Sequence, residues 1–195
     1  MNMKKLVMMA MGVMLLAACK KDSSTDAFLM DNLASQKNGG KQVTRPMKID
    51  IFSSPNPDFI SSPCLNGPLT TSGFFVNGTA THLGKIDAKN SPGEDVSCNF
   101  VVTAGGRFTL ETEVAGQITA ANGDLIKYIG SDILDLTDII LGVSPFGTIV
   151  GTWTITGGTG RFVDATGTLP IKGIIDASPP TGGIFRVTAE GTITY

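Results

Sequence analysis

Few side chains in this sequence are suited to acid–base, nucleophilic or metal chemistry, and each can be weighed on its own. His82 is the single histidine. In Thr81-His82-Leu83-Gly84 it falls where two strand-like segments meet, so it is either a general base at a pocket edge or, the commoner case, a turn residue held by a hydrogen bond. Arg161 stands in the tight reversal Gly157-Gly158-Thr159-Gly160-Arg161-Phe162. Its guanidinium either pairs with a carboxylate such as Asp124 or Asp164, or recognises an anionic ligand. His82, Asp124 and Arg161 are the candidate catalytic residues, with no step assigned to any of them. Glu111 and Glu113 lie two apart, which on a strand places both on one water-facing side. They read as solubilising charge.

Other chemistries fail on spacing. Gly78 to Lys85 has five residues between its glycines where a phosphate loop has four, and Ile86 stands where Ser or Thr must meet Mg²⁺. Gly158-Thr159-Gly160 would need a third glycine where Val163 stands, and no crossover helix follows. There is no Gly-x-Ser-x-Gly elbow and no zinc-type set of Cys and His. Neither a metal nor a cofactor is expected.

Ahead of the folding region, Lys4 and Lys5 precede an apolar run from Leu6 to Ala18. At about 13 residues it is too short to cross a ~30 Å hydrocarbon core, so residues 1–18 read as a signal peptide. The run ends Leu16-Ala17-Ala18-Cys19, which resembles the lipobox of bacterial lipoproteins. That resemblance implies that Cys19 becomes the first residue and carries acyl chains such as palmitate, two or three of which anchor durably where one does not. The alternative is an ordinary secretory signal with an incidental cysteine. Lys20 and Lys21 follow in place of Asp, which in the best-known bacterial sorting scheme implies the outer membrane, on its periplasmic or its surface face. Residues 19–45 are expected to be the lipidated cysteine and a flexible tether, with a span near 28 Å for about 26 residues of coil. Phe28, Leu29, Met30 and Leu33 could make a short helix within it. With Cys19 acylated, Cys64 and Cys98 remain as an even pair in an oxidising compartment; a disulfide is the default and two free thiols the alternative.

The elements that must position these residues are strands. Charged side chains make up only 16% of the 195 residues and glycines number 24, which suits a turn-rich β protein and excludes a coiled coil. Removing Lys4 and Lys5 from the 15 basic residues leaves 13 against 17 acidic ones, so no nucleic-acid partner is expected. Apolar and polar residues alternate from Phe108 to Thr119, from Thr152 to Thr156, from Thr168 to Asp176 and from Phe185 to Tyr195, as half-buried strands do. Met47–Phe52, Gly73–Ala80, Leu83–Ala88 and Val96–Thr103 are further strand-rich stretches. Asn122-Gly123 and Gly105-Gly106 are read as two-residue type I′ hairpin turns. Ile133, Leu136, Ile140 and Val143 follow helical 3-4-3 spacing within Asp132–Gly142. That segment is either a helix capped by Asp132 and Gly142 or a bulged strand. The expected fold class is all-β: a single antiparallel, mostly meander β-barrel of about eight strands over residues 46–195.

Gly78-Thr79-Ala80-Thr81-His82-Leu83-Gly84-Lys85, Ala120-Ala121-Asn122-Gly123-Asp124, and Gly157 to Phe162 followed by Ala165-Thr166-Gly167 together resemble bacterial proteins of the allene oxide cyclase-like barrel group, related in fold to plant dirigent proteins. The resemblance covers roughly residues 70–195 and implies the barrel. No functional residue of that group transfers by position. Three functions follow as expectations. The first is a membrane-anchored barrel binding a small apolar ligand, with an internal cavity of a few hundred Å³. The second is a structural or adhesive surface lipoprotein, and the third a cyclase- or isomerase-like enzyme drawing on His82, Asp124 or Arg161.

Overall fold

The computed structural model describes residues 42–179 and 183–195. The signal peptide, Cys19 and the tether up to residue 41 lie outside the described residues, as do Pro180, Thr181 and Gly182. Nine strands form one antiparallel sheet: β1 (Thr44–Pro55), β2 (Gly73–Ala80), β3 (Gly84–Lys85), β4 (Pro92–Val102), β5 (Phe108–Thr119), β6 (Leu125–Asp135), β7 (Phe146–Gly158), β8 (Thr166–Asp176) and β9 (Ile184–Thr194). From β4 to β9 each strand pairs with the next; β9 then pairs with β1, β1 with β2, and β2 with β4, so the ladder returns to its start. Eight strands make this barrel, and the two-residue β3 hangs on β2. Closure leaves these strands no free edge of the kind that recruits other chains.

Alternation decides what fills the barrel. Leu110, Val114 and Ile118 of β5, Trp153 and Ile155 of β7, Leu169 and Ile171 of β8, and Val187, Ala189 and Ile193 of β9 are all buried. Their intervening neighbours Glu111, Glu113, Thr152, Thr154, Lys172, Arg186 and Glu190 are exposed. Each fully buried large apolar side chain contributes about 1.5–3 kcal/mol relative to exposure.

Several local expectations need correction. Neither hairpin is a type I′ turn. Ala120 N–H donates to Asp124 O, and Gly123 N–H returns to Ala120 O. Only Gly123 takes positive φ there, at 89°. This is a three-residue loop, a type I turn ending in a glycine bulge, which spares Asn122 the left-handed region. Gly106 (φ 76°) ends the β4–β5 loop in the same way, between Thr103 and Arg107. The stretch 83–88 yields only β3 and an isolated bridge from Ile86 to Ala120.

Asp132–Gly142 is neither of the two alternatives as framed. β6 runs on through Asp132 to Asp135, and one helical turn, Thr137–Ile140, follows. Asp132 is therefore a strand residue. The N-cap is Leu136, which makes no side-chain capping bond; one residue earlier, Asp135 Oδ1 accepts bonds from Thr137 N–H at 3.1 Å and Thr137 Oγ1–H at 2.6 Å. Gly142, at φ 69°, does follow the end of the turn. The 3-4-3 spacing is a coincidence of residues in different settings: Ile133 is an outward strand residue, Leu136 is buried just before the turn, Ile140 is the exposed last residue of the turn, and Val143 is exposed beyond it.

The ring is thinnest between β2 and β4, which share three residue pairs, Gly73–Phe75 with Pro92–Glu94. Beyond them the wall is completed by the segment between β1 and β2. Asp95 N–H donates to Ser72 O, and Ser72 returns its N–H (2.9 Å) and Oγ–H (2.6 Å) to Asp95 Oδ2. Further along, Leu65 N–H donates to Cys98 O and Leu65 O accepts from Phe100 N–H, a short parallel bridge alongside β4. Cys64 and Cys98 are joined by a disulfide, which fastens this patch to the barrel. The default pairing of the two cysteines therefore holds.

Candidate functional site

The three sequence-derived candidates do meet, at the end of the barrel where β1 begins. Arg161 lies in the β7–β8 connection, Asp124 in the β5–β6 hairpin and His82 between β2 and β3. Arg161 Nη2 donates to the His82 carbonyl, and its Nε stands 3.4 Å from Asp124 Oδ2. The His82 ring donates from Nε2 to the Pro46 carbonyl at 2.9 Å; a carbonyl can only accept, so this nitrogen carries the proton. Beneath them Phe162 is wholly buried and its ring lies 4.8 Å from that of Tyr195. Arg161 thus ties three connections together over an aromatic plug. Gly160 makes this possible: its φ is 57°, and a Cβ there would lie 2.1 Å from Asp124 Oδ1. His82, Asp124 and Arg161 close the barrel end, and none of them lines the interior cavity described next.

Toward the opposite end the interior is polar. Asp132 (7% exposed) and Thr112 (4%) point inward from β6 and β5, where they are paired neighbours. Trp153 of β7 donates its indole N–H to Asp132 Oδ2 over a long 3.4 Å. Tyr128, two positions before Gly130 on the same inward face, stacks on Trp153 with ring centroids 4.5 Å apart. Three buried polar atoms here have no hydrogen-bond partner among the described residues: Asp132 Oδ1, Thr112 Oγ1 and the Tyr128 hydroxyl. Such orphans are uncommon in a folded interior and cost about 1–3 kcal/mol each if left unmet.

Burial pushes the Asp132 carboxyl up to about 7; the Trp153 bond offsets part of this, and the negative charges of Asp95 and Glu113 add to it. Burial also raises the Asp95 carboxyl, against the lowering effect of its two bonds from Ser72. The Tyr128 hydroxyl is pushed well above its usual range by burial, with Asp132 and Asp95 reinforcing the shift. The proton-bearing form of each group is favoured for the same reason: charge is costly in this wall.

A cavity of about 60 Å³ adjoins these groups, lined among others by Asp95, Thr112, Asp132, Trp153, Phe74 and Phe185. It is far smaller than the expected few hundred Å³, because Trp153, Tyr128 and Phe162 occupy the axis of the barrel. Glycines make room for the large rings: a Cβ at Gly116 or Gly93 would approach the Tyr128 hydroxyl oxygen to 2.6 or 2.9 Å, and one at Gly130 would approach Trp153 Cδ1 to 2.5 Å.

Asp95, Thr112, Tyr128 and Asp132 were not among the candidates taken from the sequence. The signal is there for Asp132, since Ile126, Tyr128, Asp132 and Leu134 share the inward parity of β6, but the choice between helix and bulged strand over Asp132–Gly142 leaves the end of that strand undecided from sequence. For Asp95 there was none, because a bulge between Asp95 and Ser97 breaks the alternation of β4.

Comparison with known proteins adds little to this geometry. No family model matches the chain, and no curated protein matches it. Among solved structures, the pterocarpan synthase dirigent protein GePTS1 is similar, at 13% identity and a TM-score of 0.42, covering 80% of this chain and 86% of that one.

Proposed function

We propose that the chain is a lipid-anchored envelope protein whose barrel receives part of a small, largely apolar ligand at the Asp132 end. The observation that carries this reading is that Asp132 and Thr112, each with a buried oxygen lacking a partner among the described residues, line an interior cavity walled by Trp153, Phe74 and Phe185. A purely structural core would gain by replacing those polar groups with apolar ones, whereas a binding site holds them for a partner. At about 60 Å³ the cavity admits a head group rather than a whole molecule. Anchoring rests on the lipobox-like Leu16-Ala17-Ala18-Cys19, with the outer membrane as the proposed location.

Purifying the protein from its native envelope and identifying co-extracted small molecules by mass spectrometry tests this. A compound retained by the native chain and lost from Trp153→Ala supports the reading; identical extracts from both contradict it.

Two further readings have one observation each. Ile140, Leu141 and Val143 in the β6–β7 connection and Phe146 at the start of β7 are exposed, which favours contact with a partner at the cell surface. Replacing Leu141 and Val143 by Ser would then abolish crosslinks formed in intact cells while leaving the fold unchanged. The isomerase-like reading loses His82, Asp124 and Arg161 as inward groups, but Asp132, with its carboxyl near neutrality, is suited to moving a proton at a bound substrate.

A further inference from the structure

Among the described residues, the two carboxylates beside the cavity have no cation as partner. Of the described residues that line it, Asp95 and Asp132 are the only charged ones, and none is Lys, Arg or His. A carboxylate held in such a wall either keeps its proton or acquires an opposite charge. Among the described residues no group of three or more His, Cys, Asp or Glu could hold a metal ion, and two carboxylates fall short of the six or more oxygens that a hard divalent cation takes. An organic monocation needs fewer partners.

Two independent features specify its form. Thr112 lines the cavity and is 4% exposed, and its hydroxyl oxygen has no partner among the described residues, so an N–H donor has an acceptor there besides the carboxylates. Around these groups stand aromatic rings: Trp153, and the Phe74–Phe185 pair meeting edge to face at 4.8 Å. Such faces attract a desolvated cation and its first methylenes. The volume, about 60 Å³, corresponds to roughly two waters at ~30 Å³ each, enough for an ammonium and one or two carbons.

We propose that the cavity takes the ammonium head of a primary amine carried on an apolar body. Its three N–H donors meet Asp132, Asp95 and Thr112, and its first methylenes lie against Phe74, Phe185 and Trp153. This inference rests on the ligand-binding reading above. Of the elements packed around Asp132, β4 contributes Asp95, β5 contributes Glu113, and β6 itself contributes Tyr128. β7 supplies the Trp153 indole, while β2, β8 and β9 line the cavity with Phe74, Ile175, Phe185 and Val187, none of which titrates. Every titratable neighbour among the described residues is thus acidic, and the amine binds the form in which Asp132 is ionised.

Trp153 is the chain's single tryptophan and donates to Asp132, so its indole ¹H–¹⁵N resonance reports on the site. The full chain is titrated with n-butylammonium, n-butanol and tetramethylammonium at pH 6 and pH 8. The expected result is that n-butylammonium shifts the resonance with at least tenfold higher affinity than either comparator at pH 8, and binds about tenfold more weakly at pH 6. In Asp132→Asn this preference disappears. Should that variant fail to fold, Thr112→Val, which keeps both carboxylates, weakens n-butylammonium at least threefold while leaving n-butanol unchanged. Equal affinity for n-butanol and n-butylammonium overturns the amine but leaves the pocket standing. No shift with any of the three probes at either pH overturns both.

Discussion

Asp132 shows how a single position couples the wall to the interior. Its neighbour across β7 is Gly151, where a Cβ would lie 2.4 Å from Asp132 Oδ1, so the carboxylate occupies space that only glycine leaves open. The carboxyl sits at about 7 in the fold against an ordinary 3.8. Between roughly pH 4 and pH 7 the folded chain therefore keeps a proton that the unfolded chain has released, and stability falls as pH rises through that window. The cost at pH 8 is of order 2–4 kcal/mol. Asp132→Asn removes it, so calorimetry at pH 5 and pH 8 should find a smaller loss of Tm in the variant than in the native chain. Asp135 has the opposite sign. Its bonds from Thr137, then its pairing with Arg107, hold the carboxyl down to about 2; its contribution is present above pH 4 and is lost as pH falls toward 2. At the other end of the barrel, Gly160→Ala meets both a left-handed backbone and the Asp124 carboxylate. It should destabilise the fold by about 1–3 kcal/mol, read from urea unfolding.

At the scale of elements, the segment before β2 is a patch on the barrel wall as much as a connection. It supplies Leu65 to β4 where β2 no longer reaches, and the Cys64–Cys98 disulfide holds it there. Closing a loop of 34 residues' separation stabilises by about 4 kcal/mol in the chain-entropy model. Replacing both cysteines by Ala should lower stability by about that amount, and amide exchange should quicken at Leu65 and Phe100 before it does in β7 or β8. The later strands were legible in the sequence because Trp153, Leu169 and Val187 alternate strictly with threonines and charges on a wall with one dry face. The same rule failed for β4, where the bulge after Asp95 shifts the parity, and for the end of β6, where Ile133 with Leu136, Ile140 and Val143 from the turn that follows mimics a helical stripe. Both failures hid inward carboxylates. The hairpin glycines marked the turns correctly, but whether Asn122 joins Gly123 at positive φ depends on a strand register that local sequence does not reveal.

For the molecule over residues 42–195, ring closure explains how so glycine-rich a stretch forms one sheet: each strand borrows its neighbours' backbone groups, and Val114, Trp153, Leu169 and Val187 face a common axis while Ile129, Ile133, Val150 and Ile174 are exposed. The barrel, and a carboxylate such as Asp124 or Asp164 as the partner of Arg161, were foreseeable from pattern and turn chemistry; the closed end they form with Phe162 was not. The size of the cavity was not, since it depends on how Tyr128 and Trp153 stack over Gly93, Gly116 and Gly130. The proposed anchor belongs to this scale too. Cys19→Ser should move the protein from the membrane to the soluble fraction and abolish incorporation of labelled palmitate, with the barrel's thermal transition unchanged. The most direct test of the central claim, an acidic pocket buried inside the barrel, is the Trp153 indole ¹H–¹⁵N resonance followed from pH 5 to pH 9 without ligand. A single titration with a midpoint near 7, absent in Asp132→Asn, is predicted. A resonance that stays flat across this range, or one that exchanges at the rate of an exposed indole, would contradict it.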